Sequence, residues 1–220
     1  MQHPSCFMEE LSDLKIIKDF NDLLRVNNFV YCLIPWTIVP FIEKLSALDL
    51  NYVYQKIKVK DIGGWCGINA EVLRLILKGY GIPCRPYNFG LEIYQFTHVG
   101  LLVQICDKEY FIDPYFSKHY VDTQGNRLDI NSLLKFIEKQ EFEKFIPIYG
   151  PGKKEVQTNS GWVYMTPQEL ETSVRDSFFL LNYEKIMLRY FNSTRFENLM
   201  LVEYESLMAR ILRNIGKINE

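Results

Sequence analysis

A cysteine follows two glycines and a tryptophan in "GGWC" (Gly63 to Cys66), and the residues after it take up helical spacing. A thiol with an ordinary pKa of about 8.5 is mostly protonated at neutral pH, so a nucleophilic cysteine needs something that stabilises its thiolate. A helix N-terminus supplies unpaired N–H groups and about half a positive charge. The glycine pair lets the backbone turn sharply and a substrate come close. The second need is a base. Of the three histidines, His3 lies near the chain start and His119 follows Ser117 and Lys118 in a polar turn. His98 alone heads an apolar strand candidate, "HVGLLVQI". An imidazole there can pair with a thiolate and later protonate a leaving group. The third need is a group that orients the imidazole, and Asp113 in "YFIDPY" is the candidate. Each residue also has a plain alternative: a packed cysteine, a strand-end histidine satisfied by water, and a turn-forming aspartate before Pro114.

Strand parity tests whether the last two can meet. If "THVGLLVQIC" and "KEYFIDPYF" join at Asp107-Lys108, residue 106 faces 109, and positions 98, 100 and 102 share a face with 113, 115 and 117. That register sets Asp113 opposite residue 102, about 13 Å along the strand from His98, where a hydrogen bond needs about 3 Å. A longer turn, Gln104 to Asp107, sets 98 opposite 113. Spacing leaves both registers open.

The elements around these residues read as follows. Residues 9–25 place Leu11, Leu14, Ile17, Phe20 and Leu24 at helical spacing, and the proline-bearing stretch after them is expected to be extended or irregular. "PFIEKLSAL" suggests a short helix, and the alternation of "NYVYQKIKVK" suggests a strand with a lysine face. Helical spacing runs from Cys66 to Lys78, with Gly79 as a cap and Gly81-Ile82-Pro83 as a stop. Residues 129–145 return to helical spacing, "YGPGKKEVQTNSG" reads as a polar loop, and residues 167–215 read as largely helical. Strands segregated from helices argue an α+β fold rather than an alternating parallel sheet. The expected division is a core at 1–160 with an N-terminal helical segment, and a helical extension at 161–220 packed on it.

The totals exclude several classes. With 220 residues, 48% apolar and 15% aromatic, the chain can bury a large core. A formal charge of −2 offers no basic stripe for nucleic acid. Five cysteines without CxxC pairs or clustered histidines suggest neither a disulfide scaffold nor a metal site, and imply reduced thiols in a cytoplasmic setting. The opening "MQHPSCFMEELSDLK" has no apolar run of a secretory signal. The uncharged stretch Val26 to Ile42 is shorter than the ~20 residues of a membrane span and carries Pro35 and Pro40.

"GGWCGINAEVLRLILKGYGIPCR", then "THVGLLV" and "YFIDPYF", resembles the core of the transglutaminase-like superfamily over about residues 61 to 116. The matching elements are Gly64-Trp65-Cys66, Ala70, Gly81-Ile82-Pro83-Cys84-Arg85, His98 and Asp113-Pro114. The resemblance implies a papain-like core, with the cysteine-bearing helix packed on an antiparallel sheet. It also implies Cys66 as nucleophile, His98 as acid/base and Asp113 as orienter. "GGWC" is also similar to the Arg-Gly-Gly-x-Cys motif of arylamine N-acetyltransferases, although Ile62 stands for the arginine and Asn69 sits three rather than four residues past the cysteine.

The implied chemistry is acyl transfer through a Cys66 thioester. The donor would be a peptide, amide or thioester and the acceptor water or an amine, with no cofactor. The alternatives are an acyl-CoA-dependent N-acyltransferase and a non-catalytic scaffold. Trp36, Gln55 and Trp65 are candidates for the oxyanion site beside the backbone N–H of Cys66, and Arg85 for an ion pair or a substrate carboxylate. The apolar C-terminal helices are a candidate surface for a homo-oligomer or protein partner.

Overall fold

Asp19 caps the helix that carries Phe20. Its carboxylate accepts the backbone N–H of Asp22 at 3.0 Å, and α1 runs over Phe20–Leu33. It stops before Pro35, with Ile34 extended, because a residue preceding proline avoids the helical region. The computed structural model describes residues 10–11, 13–14, 16–37, 49–91, 96–158 and 160–177. Within these, the expectation of a helix over 9–25 followed by irregular chain needs correcting. Leu11, Leu14 and Ile17 are buried as their spacing suggested, but they reach the core from a turn and irregular chain. The stretch from Val26 to Leu33 continues the helix, since its first proline lies beyond the last turn.

The expected strand "NYVYQKIKVK" is also corrected. Asp49 accepts the N–H groups of Asn51 and Tyr52 at 2.9 and 3.1 Å and opens helix α2, Leu50–Lys58. Val53, Tyr54 and Ile57, at helical spacing, are the buried residues. Alternation over so short a run fits both periods, and the N-cap decides between them. The expected helix at "PFIEKLSAL" lies outside the described residues.

Helix α3, Cys66–Gly79, matches its expected bounds to within a residue. Three antiparallel strands follow in spatial order β1-β2-β3: β1 Cys84–Leu91, β2 Phe96–Ile105 and β3 Lys108–Ile112. α3 packs on β1 and β2, and α1 packs on α3. The sheet buries both faces by simple alternation. Val99, Leu101, Val103 and Ile112 join Leu23, Val30, Leu73 and Ile76 in one cluster. Tyr87, Leu102 and Phe111 join Leu133 and Ile137 of α4 (Ile130–Glu138) in a second cluster. The fold is therefore mixed α+β.

Two antiparallel strand pairs follow. β4 (Lys118–Asp122) pairs with β5 (Phe145–Tyr149), and β6 (Lys154–Thr158) pairs with β7 (Gly161–Met165). The "polar loop" at 149–161 is thus corrected in its second half. Lys154 and Val156 point inward there, and Val156 bridges Trp36. A division after residue 160 falls inside the β6–β7 hairpin. Helix α5, Pro167–Ser177, buries Leu170 in the first cluster. The rest of the expected helical extension, with the partner surface expected on it, lies outside the described residues. Among the described residues no helix is long and apolar enough to cross a membrane.

His119 is likewise not in a polar turn but inside β4, buried against the edge of the Phe20 ring at 5.3 Å between centroids. Burial, helped by the Arg127 guanidinium, pushes its pKa down to about 4. The unfolded chain binds this proton near pH 6.5. Acidification from 6.5 to 4 therefore favours the unfolded state, by about 3 kcal/mol at full effect, and the loss levels off below 4. Urea midpoints across that window should fall in wild type and fall visibly less in His119→Phe. Parallel curves would show that His119 does not carry the linkage.

Candidate active site

Gly63 and Gly64 bring Cys66 to the start of α3. A Cβ on Gly63 would lie 2.7 Å from both the Pro35 carbonyl oxygen and Thr37 Cγ2, and Gly64 adopts φ 149° while its N–H donates to the Pro35 oxygen at 3.0 Å. The loop thus lies tight against the chain leaving α1, a position only glycine fills. Gly63→Ala is expected to lower stability by about 1–3 kcal/mol, read as a lower thermal midpoint, and to slow alkylation of Cys66. An unchanged midpoint would show that the loop is looser than its contacts imply.

Trp65 precedes the helix without capping it through its side chain, and the first helical bond runs from Asn69 N–H to the Trp65 carbonyl at 3.3 Å. The N–H groups of Cys66, Gly67 and Ile68 precede that bond, in the turn where backbone donors lack intrahelical partners. They are the donors an oxyanion beside Cys66 can use.

The structure brings Cys66, His98 and Asp113 together. His98 Nε2 lies 2.8 Å from Asp113 Oδ2, and Cys66 lies close enough for its charge to act on the same imidazole. With Nε2 on the carboxylate, Nδ1 is the nitrogen left for the sulfur. All three are buried: Cys66 is 6%, His98 5% and Asp113 1% exposed. Burial alone would strip the proton from His98, but the charges of Asp113 and Cys66 prevail and push its pKa up to about 10. Burial alone would raise Asp113, yet the His98 charge, aided by Lys118, holds its carboxyl below the ordinary range. Phe116 stacks on the imidazole at 5.4 Å and Tyr115 tilts against it at 5.9 Å, which fixes the ring plane.

The register that permits this is neither of the two read from spacing. Ile105 pairs with Lys108, so the turn is Cys106-Asp107, with Cys106 in the left-handed region at φ 54°. Leu101 faces Ile112, and one step further sets Asp113 opposite Gly100, two residues from His98. A diagonal neighbour is within reach of a side chain. Asp113 lies just past β3, where it bridges Lys118 and its Oδ1 accepts the N–H groups of Tyr115 and Phe116 at 3.0 and 3.2 Å. It is therefore a turn former and a histidine partner at once. Those two readings do not exclude each other.

The remaining sequence candidates fall elsewhere. The Trp65 indole N–H donates to the Thr37 carbonyl at 3.3 Å, so it is engaged by the loop. Trp36 packs against the first core cluster, and its backbone bonds Glu155 and Gln157. Gln55 is exposed on α2, and Arg85 Nε meets Glu109 Oε1 at 3.4 Å across the sheet surface. A cavity of about 230 Å³ lined by Asn28, Ser117, His119 and Tyr149 includes none of the three central residues.

Two residues near the site were not site candidates in the sequence reading. Asn69 is fully buried in α3, and Lys154 of β6 donates to its Oδ1 at 2.6 Å. The available signal was Lys154-x-Val156, an inward-facing alternation hidden in a stretch rich in glycine and polar residues.

No protein-family model matches the chain, and no curated protein matches it in sequence. Solved structures that the chain loosely resembles include arylamine N-acetyltransferase C of Bacillus anthracis, at 15% identity over 80% of this chain and 97% of that one, TM-score 0.37. The arylamine N-acetyltransferase of Salmonella typhimurium is 14% identical over 85% of this chain and 73% of its own, TM-score 0.39. One from Bacillus cereus, described with a Cys-His-Glu catalytic triad, is 12% identical over 83% of this chain and 77% of its own, TM-score 0.36. A likeness this loose carries nothing about activity, which the site itself has to supply.

Proposed function

We propose that the chain is a cysteine-dependent acyl-transfer enzyme with Cys66 as nucleophile, His98 as acid/base and Asp113 as the group that holds and charges the imidazole. The observation that carries this reading is the buried imidazole–carboxylate pair of His98 and Asp113 with buried Cys66 acting on the same ring, set where a helix begins. Cys66 Sγ, its proton passed to His98, attacks a carbonyl carbon. The C=O electron pair moves to oxygen, and the oxyanion is met by the first-turn N–H groups of α3. The C–O double bond then re-forms as the leaving group departs with the proton from His98. A thioester is left on Cys66, and water or an amine, deprotonated by His98, releases the acyl group and regenerates the thiol. The donor is an amide, peptide or thioester, acting in the cytoplasm.

Iodoacetamide alkylation of each cysteine, read by peptide mass spectrometry, tests the first step. Burial pushes Cys84 up to about 11 and raises Cys32, so neither should compete near neutrality. Cys66 is expected to outpace exposed Cys106 at pH 6.5 and to lose that advantage in His98→Ala. Equal rates in wild type would remove the nucleophile reading and leave the fold as a scaffold. Protection of Cys66 by acetyl-CoA, but not by a peptide amide, would point to an acyl-CoA donor.

A further inference from the structure

Lys154 is wholly buried, with no exposed surface, at the first position of β6. Its Nζ sits 2.6 Å from Asn69 Oδ1 and lies over the rings of Tyr31 at 4.7 Å and Tyr115 at 5.0 Å. A lysine in the interior is costly unless something there needs its charge. Among the described residues no carboxylate forms an ion pair with it, whereas the other buried lysine, Lys118, pairs with Glu171 at 2.8 Å. The groups whose charge reaches Lys154 are Asp113 from the end of β3, Cys32 from α1 and Cys66 from α3.

Two of those three belong to the acyl-transfer centre. In its active form that centre holds a thiolate, an imidazolium and a carboxylate, a buried sum of one negative charge. Lys118 and Glu171 cancel each other. An ammonium at Lys154 brings the sum to zero. Its hydrogen bond also leads to the start of α3, because Asn69 Nδ2 donates to the Trp65 carbonyl at 2.8 Å and weakly to the Gly64 carbonyl at 3.5 Å. These are the carbonyls of the two residues preceding Cys66.

We propose that Lys154 is a positioning residue of the Cys66 centre: its ammonium offsets the net negative charge of the thiolate, His98 and Asp113, and through Asn69 it fixes the backbone that presents the sulfur. The proposal rests on the reading of Cys66 as nucleophile. Burial pushes the Lys154 pKa down to about 7, against the pull of Asp113, Cys32 and Cys66. Its proton is therefore held most firmly when the centre carries its negative charge, and thiolate and ammonium support each other. A lysine kept only to fill space would show no such link.

The test is the pH profile of Cys66 alkylation from 5.5 to 9.5 in wild type and Lys154→Met, with Cys106 as an internal exposed thiol and the thermal midpoint measured alongside. In Lys154→Met the Cys66 rate at pH 6.5 is expected to fall about tenfold, the equivalent of one pH unit, with the profile displaced to higher pH and the Cys106 rate unchanged. The thermal midpoint should not fall in parallel, because an unpaired buried ammonium has been removed. If Lys154→Met does not fold, Asn69→Asp takes its place. It gives Lys154 a carboxylate of its own, restores the negative sum and should slow Cys66 in the same way. A Cys66 profile in either variant that superimposes on wild type overturns the proposal. A wild-type Cys66 no faster than Cys106 overturns the nucleophile reading and the proposal with it.

Discussion

Cys66→Ala is expected to abolish acyl transfer from an activated ester or thioester and to leave the thermal midpoint within a few degrees of wild type. Losing one buried sulfur removes little volume, so the fold has no reason to fail. The proposed chemistry, in contrast, loses the atom that would form the thioester. Mass spectrometry should find an acyl adduct on the Cys66 peptide in wild type and none in the variant. The same experiment run against pH tests His98. Its pKa is pushed up to about 10, so the proton needed by the leaving group persists through neutrality and is lost as pH rises through that value. The alkaline limb of the activity profile should lie there. Residual turnover in Cys66→Ala at more than a small fraction of wild type would defeat the acyl-enzyme mechanism.

Asp113→Asn is expected to reduce turnover by about a hundred- to ten-thousandfold, the range that a displaced acid/base or a wrong imidazole tautomer costs. The asparagine oxygen can still accept the Tyr115 and Phe116 N–H groups that Asp113 Oδ1 accepts now. Its amide nitrogen then faces His98 Nε2 and forces that nitrogen to be an acceptor. The proton is left on Nδ1, towards the sulfur, and the imidazole can no longer take one from Cys66. Stability should also lose its dependence on this pair. The Asp113 contribution is present above the unfolded carboxyl value near 3.9 and fades as pH falls below it. The His98 contribution is full below about 6.5 and fades as pH rises towards 10. Chemical denaturation of wild type and variant at pH 2.5, 5.5 and 10 should show the largest gap at 5.5. A variant with wild-type turnover would make Asp113 a turn residue only.

How far the sequence carried depended on how local each cause was. α3 was readable because its apolar spacing, its entrance glycines and its stop signals all lie within the helix and its flanks. β2 and β3 were readable as strands, and parity placed His98 and Asp113 on one face. Their contact was not readable, because it turned on whether Cys106 would adopt a left-handed backbone, and spacing says nothing about that. α2 was misread because nine residues are too few to separate a period of two from one of 3.6, and Asp49 lay outside the window that mattered. Lys154 was missed for a deeper reason. A lysine after Gly152 and Lys153 is ordinary surface chemistry by composition. Only the tertiary pairing of Val156 with Trp36 turns that strand edge inward and takes the ammonium with it.

The two oxygens of Asp113 divide their duties, one closing the turn after β3 and the other holding His98. Decay of this chain into a non-catalytic descendant would therefore be asymmetric. Cys66 can drift to serine or alanine with little penalty to the architecture, whereas position 113 stays under selection for a turn-capping oxygen after catalysis has gone. On the proposed mechanism, a relative with the aspartate intact and the cysteine lost would lack the nucleophile, and the aspartate alone would not mark activity.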